Sequence, residues 1–130
     1  MKPKILIVTA RYYKDFSENL EFYASAVLNN KAKYKFVSVP GVFEIPVVIS
    51  KNIKKYDAFL ALGCVIKGET PHFDFISQAT TQAIMGLSIE HKKPIGNGII
   101  TSLNKKQALS RSKRKGQEAA KAVLLVLKNF

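Results

Sequence analysis

At 130 residues and a formal net charge of +12, the chain has room for one core, so a single domain over 1–130 is expected. Its 47% hydrophobic content excludes a disordered tail, and no apolar run approaches the roughly 18 to 20 residues of a bilayer span, so a soluble cytoplasmic protein with no membrane partner is expected. The sole cysteine, Cys64, excludes an internal disulfide framework and a zinc cluster, so no metal is expected.

The strands and helices alternate in chain order. "KILIVTA" (4–10) is a short β-branched run without polar alternation, as in a parallel strand covered on both faces. Residues 16–30 then place Leu20, Tyr23, Ala24 and Val27 on one helical face. "YKFVSV" (34–39) is a second strand stopped by "PG", and "VFEIPVVISKNIKK" (42–55) reads as a helix with Pro46 in its opening turn.

"DAFLALGCVI" (57–66) is the third and most apolar strand. From Phe73 to about Glu90 runs the longest helix, with Ile76, Ala79, Thr80, Ala83 and Leu87 spaced for burial; His91 near its end suits the helix dipole. "PIGNGIIT" (94–101) is the fourth strand. "NKKQALSRS" starts a short helix that the basic patch "RSKRKG" (111–116) interrupts, and "GQEAAKAVLLVLKNF" closes the chain as a last helix. This order predicts an α/β fold, a three-layer αβα sandwich around a four-stranded parallel sheet.

The excess of 21 basic over 9 acidic residues invites a nucleic-acid reading. Eighteen of the basic residues are lysines spread along the chain, whereas base and phosphate recognition favours arginine's planar fork, so no nucleic-acid partner is expected. The patch at 111–116 suits a smaller anion.

In open α/β sheets the site belongs at the carboxyl ends of the strands. "ARYY", "PGVFE", "KGETPH" and "TSLN" occupy those ends. Gly68 lets backbone approach a ligand, the amides of Glu69 and Thr70 open a helix entrance suited to an anion, and Arg111 or Lys115 would complete a phosphate's shell. Neither a Walker loop nor a dinucleotide fingerprint is present, so a small monophosphate fits better than a nucleotide.

His72 sits at the same entrance, where the dipole favours the neutral ring, and a neutral imidazole takes and returns protons. A lone turn histidine is more often simply solvated. Asp74 would orient it or serve the helix's first turn. Cys64 packs as a small hydrophobe rather than a nucleophile. Tyr12, Tyr13 and Phe43 would stack on a flat heterocycle or cover a core edge. A phosphate cradle, an aromatic wall and a histidine suit condensation or elimination on a small phosphorylated carbonyl compound.

"VPGVFEIP", "ALGCVIKGETPHFDF" and "PIGNGIIT…QALSR…KG" together resemble the 6,7-dimethyl-8-ribityllumazine synthase family, in order along nearly the whole chain. The resemblance implies its flavodoxin-like fold and the condensation of 5-amino-6-(D-ribitylamino)uracil with 3,4-dihydroxy-2-butanone 4-phosphate in riboflavin biosynthesis, without metal or organic cofactor. By that resemblance His72 is the proton shuttle. Gly68, Glu69 and Thr70 form the phosphate segment, completed by Arg111 of an adjacent subunit, with Lys67 also a substrate-binding residue and Lys115 nearby. Tyr12 lies against the pyrimidine, and Val42, Phe43 and Glu44 line the ribityl and ring pocket. Val65 and Ile66 meet the ring through backbone groups.

Three positions depart from the family's pattern. Asn97 stands where many members place a second stacking Phe. "RSKRKG" is shorter than the usual glycine-rich turn. Glu69 brings a carboxylate into the cradle, where it must point away from the phosphate or be neutralised by a lysine. The resemblance also implies homopentamers with active sites between subunits and an association with riboflavin synthase. The short run before the first strand and the shortened turn favour a free pentamer over an icosahedral shell. The competing readings are a flavodoxin-like module that holds a flavin or lumazine without turnover, and a basic nucleic-acid-binding domain.

Overall fold

A computed structural model of the chain describes residues 1–69 and 71–130. Strand β1 (Lys4–Ala10) leads into helix α1 (Lys14–Leu28), strand β2 (Lys33–Val39), a single 3-10 turn (Val42–Glu44) and helix α2 (Ile45–Lys51). Strand β3 (Ala58–Ile66), helix α3 (Phe73–His91), strand β4 (Ile95–Ser102) and helix α4 (Lys105–Asn129) follow. All strand pairs are parallel, in the order β2-β1-β3-β4. The expected parallel four-stranded α/β sheet is therefore found. Among the described residues no helix is long and apolar enough to cross a membrane.

The sheet's two faces bury different side chains because successive residues of a strand point to opposite sides. Ile5, Ile7, Leu60, Leu62 and Cys64 pack against Leu20, Ala24, Ala120 and Val123 of α1 and α4. Leu6, Val8, Phe59, Ala61 and Val65 pack against Ile45, Ile49 and Ile84 of α2 and α3. All nine residues of β3 are buried, which explains its unbroken apolar sequence.

The chain steps from β1 out to β2, then returns across β1 to β3. The carboxyl ends of β1 and β3 are thus the switch point, where helices leave the sheet to opposite sides and a crevice opens.

Two expectations are corrected. The basic patch does not break the last helix: α4 runs unbroken for 25 residues. Lysine and arginine are good helix formers, and Arg114 pairs with Glu118 one turn on at 3.2 Å. Gly116, read as a break, is a contact instead, since a Cβ there would lie 2.7 Å from the Leu20 carbonyl oxygen of α1. In α3, Ala79 and Ala83 are exposed, and Ile84 is buried with Thr80. The helix turns only a narrow stripe to the sheet.

The close seat of α4 on β4 gives a stability test. A Cβ at Gly96 would lie 2.5 Å from the Ala119 carbonyl oxygen and 2.7 Å from Leu60 Cδ2, and the first of these is backbone. Gly96→Ala is expected to lower unfolding free energy by roughly 2–3 kcal/mol through overpacking, read as a lower urea midpoint. An unchanged midpoint would mean that α4 is free to lift from the strand.

Candidate active site

Three loops meet at the carboxyl edge of the sheet, and a fourth group lies apart beside the end of β4. In the first, Arg11 N–H donates to the Val39 carbonyl (2.9 Å), its Nη2 pairs with Glu21 Oε1 (2.7 Å), and its Nε donates to Ser38 Oγ (3.0 Å). Ser17 Oγ donates to the carbonyls of Ala10 and Tyr13. These bonds fix the Tyr12–Tyr13 segment between α1 and β2. Tyr12 is 67% exposed, and its ring meets that of Tyr13 edge-on at 4.8 Å. Tyr13 in turn packs on Phe16.

In the second loop Val42 is buried while Phe43 stands 61% exposed. Glu44 folds back, its Oε1 accepting the Gly41 N–H at 3.0 Å, which fixes the carboxylate at the mouth of the crevice. With Cys64 and Val65 at the end of β3 and Ile76 of α3, these residues line a cavity of about 220 Å³. The structure thus brings Tyr12, Val42, Phe43, Glu44 and Val65 around one space.

Ile66 turns its side chain to the opposite face of the sheet. Gly41, Cys64 and Ile76 line the cavity as well. Sequence reasoning assigned Cys64 and Ile76 to the core, and both are core residues whose outer edge reaches the crevice.

The third loop holds the segment that the sequence suggests for an anion. Gly68 has φ +87°, a left-handed backbone that favours glycine, and the space beside it is open. Lys67 N–H donates to the Ser102 carbonyl (2.9 Å), tying this loop to the end of β4. Glu69 N–H donates to the Ile66 carbonyl. Thr70 lies outside the described residues. His72 occupies the N-cap of α3, exposed, with its ring 6.5 Å from that of Phe75. Among the described residues no hydrogen bond joins it to Asp74.

The fourth group stands apart. Arg111 Nη1 donates to the Thr101 carbonyl at 3.2 Å, and with Ile99, Ile100 and Lys115 it lines a second cleft of about 140 Å³. Because α4 is unbroken, Arg111 and Lys115 lie one turn apart on one face. The two clefts share no lining residue among those described. Asn97 is exposed on β4, and its Oδ1 accepts the Ile99 N–H at 3.0 Å.

A larger cavity of about 500 Å³ opens at the other end of the sheet, beside Lys92, Ile95 and Val126, and gathers none of the expected site residues. Among the described residues no cluster of His, Cys, Asp or Glu is arranged to hold a metal.

Cys64 is no nucleophile. Burial, and then the negative charge of Glu69, push its thiol up to about 12, so it stays protonated at neutral pH. The arrangement offers two exposed rings, Tyr12 and Phe43, a fixed carboxylate able to accept from hydroxyl or amide donors, and a cationic pair able to meet an anion.

A family model described as 6,7-dimethyl-8-ribityllumazine synthase matches residues 2–130. Similar proteins named 6,7-dimethyl-8-ribityllumazine synthase come from Bartonella henselae (44% identical, 97% of this chain and 87% of the relative), Bartonella tribocorum (41%, 97% and 89%) and Agrobacterium fabrum (41%, 97% and 93%).

Proposed function

Because the chain belongs to the 6,7-dimethyl-8-ribityllumazine synthase family, we propose that its switch-point crevice is the place where that transferase reaction occurs. The enzyme condenses 5-amino-6-(D-ribitylamino)uracil with 3,4-dihydroxy-2-butanone 4-phosphate in riboflavin biosynthesis, releasing phosphate and water. The observation that carries the assignment of the crevice is the gathering of Tyr12, Val42, Phe43, Glu44 and Val65 on one cavity.

In this reading the pyrimidine lies between the exposed rings of Tyr12 and Phe43, and the fixed carboxylate of Glu44 accepts from ribityl hydroxyls. Backbone groups of Val65 and Ile66 at the strand end meet the ring edge. The uracil's 5-amino nitrogen attacks the ketone carbonyl, and loss of water gives an imine. Removal of a proton from the adjacent carbon expels phosphate. The enol left at the hydroxyl-bearing carbon tautomerises to a new ketone, the ribitylamino nitrogen attacks that carbonyl, and loss of a second water closes the ring. His72 carries protons between these steps from the entrance of α3, beside the loop of Lys67, Gly68, Glu69 and Thr70 that receives the phosphate. Holding two reactants in register removes much of the entropic barrier.

The separation of Arg111 and Lys115 from the aromatic cavity supports a site completed between subunits, with the cationic pair of one copy meeting the crevice of the next. The outer face of α3 supports the same reading. Phe75 is 77% exposed there, with Ala79 and Ile89 along the same stripe and Met85 beside it, an apolar surface suited to a second copy. The assembly is a cytoplasmic homopentamer, and its product passes to an associated riboflavin synthase.

The test mixes purified protein with both substrates and follows lumazine absorbance above the uncatalysed background. Product formation supports the assignment; bound substrate without product would show a fold retained without its chemistry.

A further inference from the structure

We infer that Lys105 is a positioning residue for the phosphorylated ketone, acting by holding the carboxylate of Glu69 off the anion. The inference rests on the reading that the loop opened by Gly68 and Glu69 receives the phosphate. Glu69 places a negative charge inside that segment, where it repels any phosphate. Its Oε1 lies 3.8 Å from Lys105 Nζ, so the loop's one carboxylate is drawn toward the start of α4.

Two further observations favour a purpose other than folding. Lys105 is the first residue of α4, where Asn104 Oδ1 caps the Gln107 N–H and the helix has no acidic residue in its first turn. A cation there opposes the helix dipole, a local cost that usually has a reason at a site. The pair is also solvent-exposed, with side chains 64% and 40% accessible, so it adds little to stability. The charge of Glu69 reaches the crevice itself, since it contributes to the raised Cys64 thiol at the cavity floor. Lys14 and Asp15 border the same small cleft as Lys105.

The test is a double-mutant cycle of Lys105→Met and Glu69→Gln. It reads KM for each substrate and the dissociation constant of inorganic phosphate. Lys105→Met alone should raise KM for the ketone phosphate and weaken phosphate binding by roughly five- to tenfold, the effect of one uncompensated, partly screened charge. KM for the pyrimidine should not move, and the penalty should shrink with added salt. Glu69→Gln alone should lower both phosphate constants, and the double variant should match it.

A Lys105→Met penalty of the same size in the Glu69→Gln background would overturn the inference, because Lys105 would then touch the phosphate directly. No penalty at all would overturn it too. Absence of lumazine from every variant would count against the proposed function, while the phosphate titration would still decide the role of Lys105.

Discussion

Arg111→Ala is expected to lower kcat/KM for the butanone phosphate by on the order of 10²- to 10³-fold, the usual cost of removing a charged partner from a desolvated anion. The loss should fall on the phosphate substrate and leave KM for the pyrimidine nearly unchanged. The fold should survive, since Arg111 is exposed and its hydrogen bond within the chain is to the Thr101 carbonyl. Because Arg111 and the aromatic cavity line separate clefts, the stronger test is complementation. Subunits carrying Arg111→Ala, unfolded and refolded with an equal amount of subunits carrying His72→Ala, should recover activity that neither has alone. With random assembly about one quarter of the sites draw a native His72 from one copy and a native Arg111 from its neighbour. Activity of the mixture no greater than the mean of the two parents would place both residues of each site on one chain.

His72→Ala should reduce kcat by about 10²-fold and stop short of abolishing it. General acid–base groups typically supply roughly 10²- to 10⁴-fold, and this value sits at the low end because bringing two reactants together does much of the work. His72 is exposed, so its removal leaves no cavity in the core. KM values should change little, and added imidazole should restore part of the rate. Total loss from a correctly folded and assembled variant would mean that the imidazole does more than carry protons. A kcat equal to the parent's would mean that solvent carries them unaided.

Much of this was legible in the amino-acid sequence because parallel strands must be apolar on both faces. "KILIVTA" and "AFLALGCVI" therefore announce themselves, and their carboxyl ends then locate the crevice. What escaped was set by tertiary contact. Gly116 looks like a helix break until Leu20 of α1 is seen against it. Ala79 and Ala83 fit a buried helical face, yet the sheet covers a narrower stripe centred on Thr80 and Ile84. For Glu69 the sequence leaves open whether the charge points away from the phosphate or meets one of eighteen lysines, and only the approach of α4 to the third loop selects Lys105. That Arg111 and Lys115 line a cleft of their own depends on where α4 lies, although the resemblance already places Arg111 with an adjacent subunit.

The bond between Asn97 and Ile99 has a consequence for how the protein behaves in a crowded solution. β4 is the last strand of its sheet, and its outward amides are the donors that a passing extended chain would seize. By accepting from Ile99, the Asn97 carboxamide closes one of them from within its own strand. A phenylalanine at the same position would offer a surface for stacking and no acceptor, leaving that amide open to strangers. Binding strength for a ring and a quiet rim are thus rival uses of one residue, and this chain has taken the quiet rim.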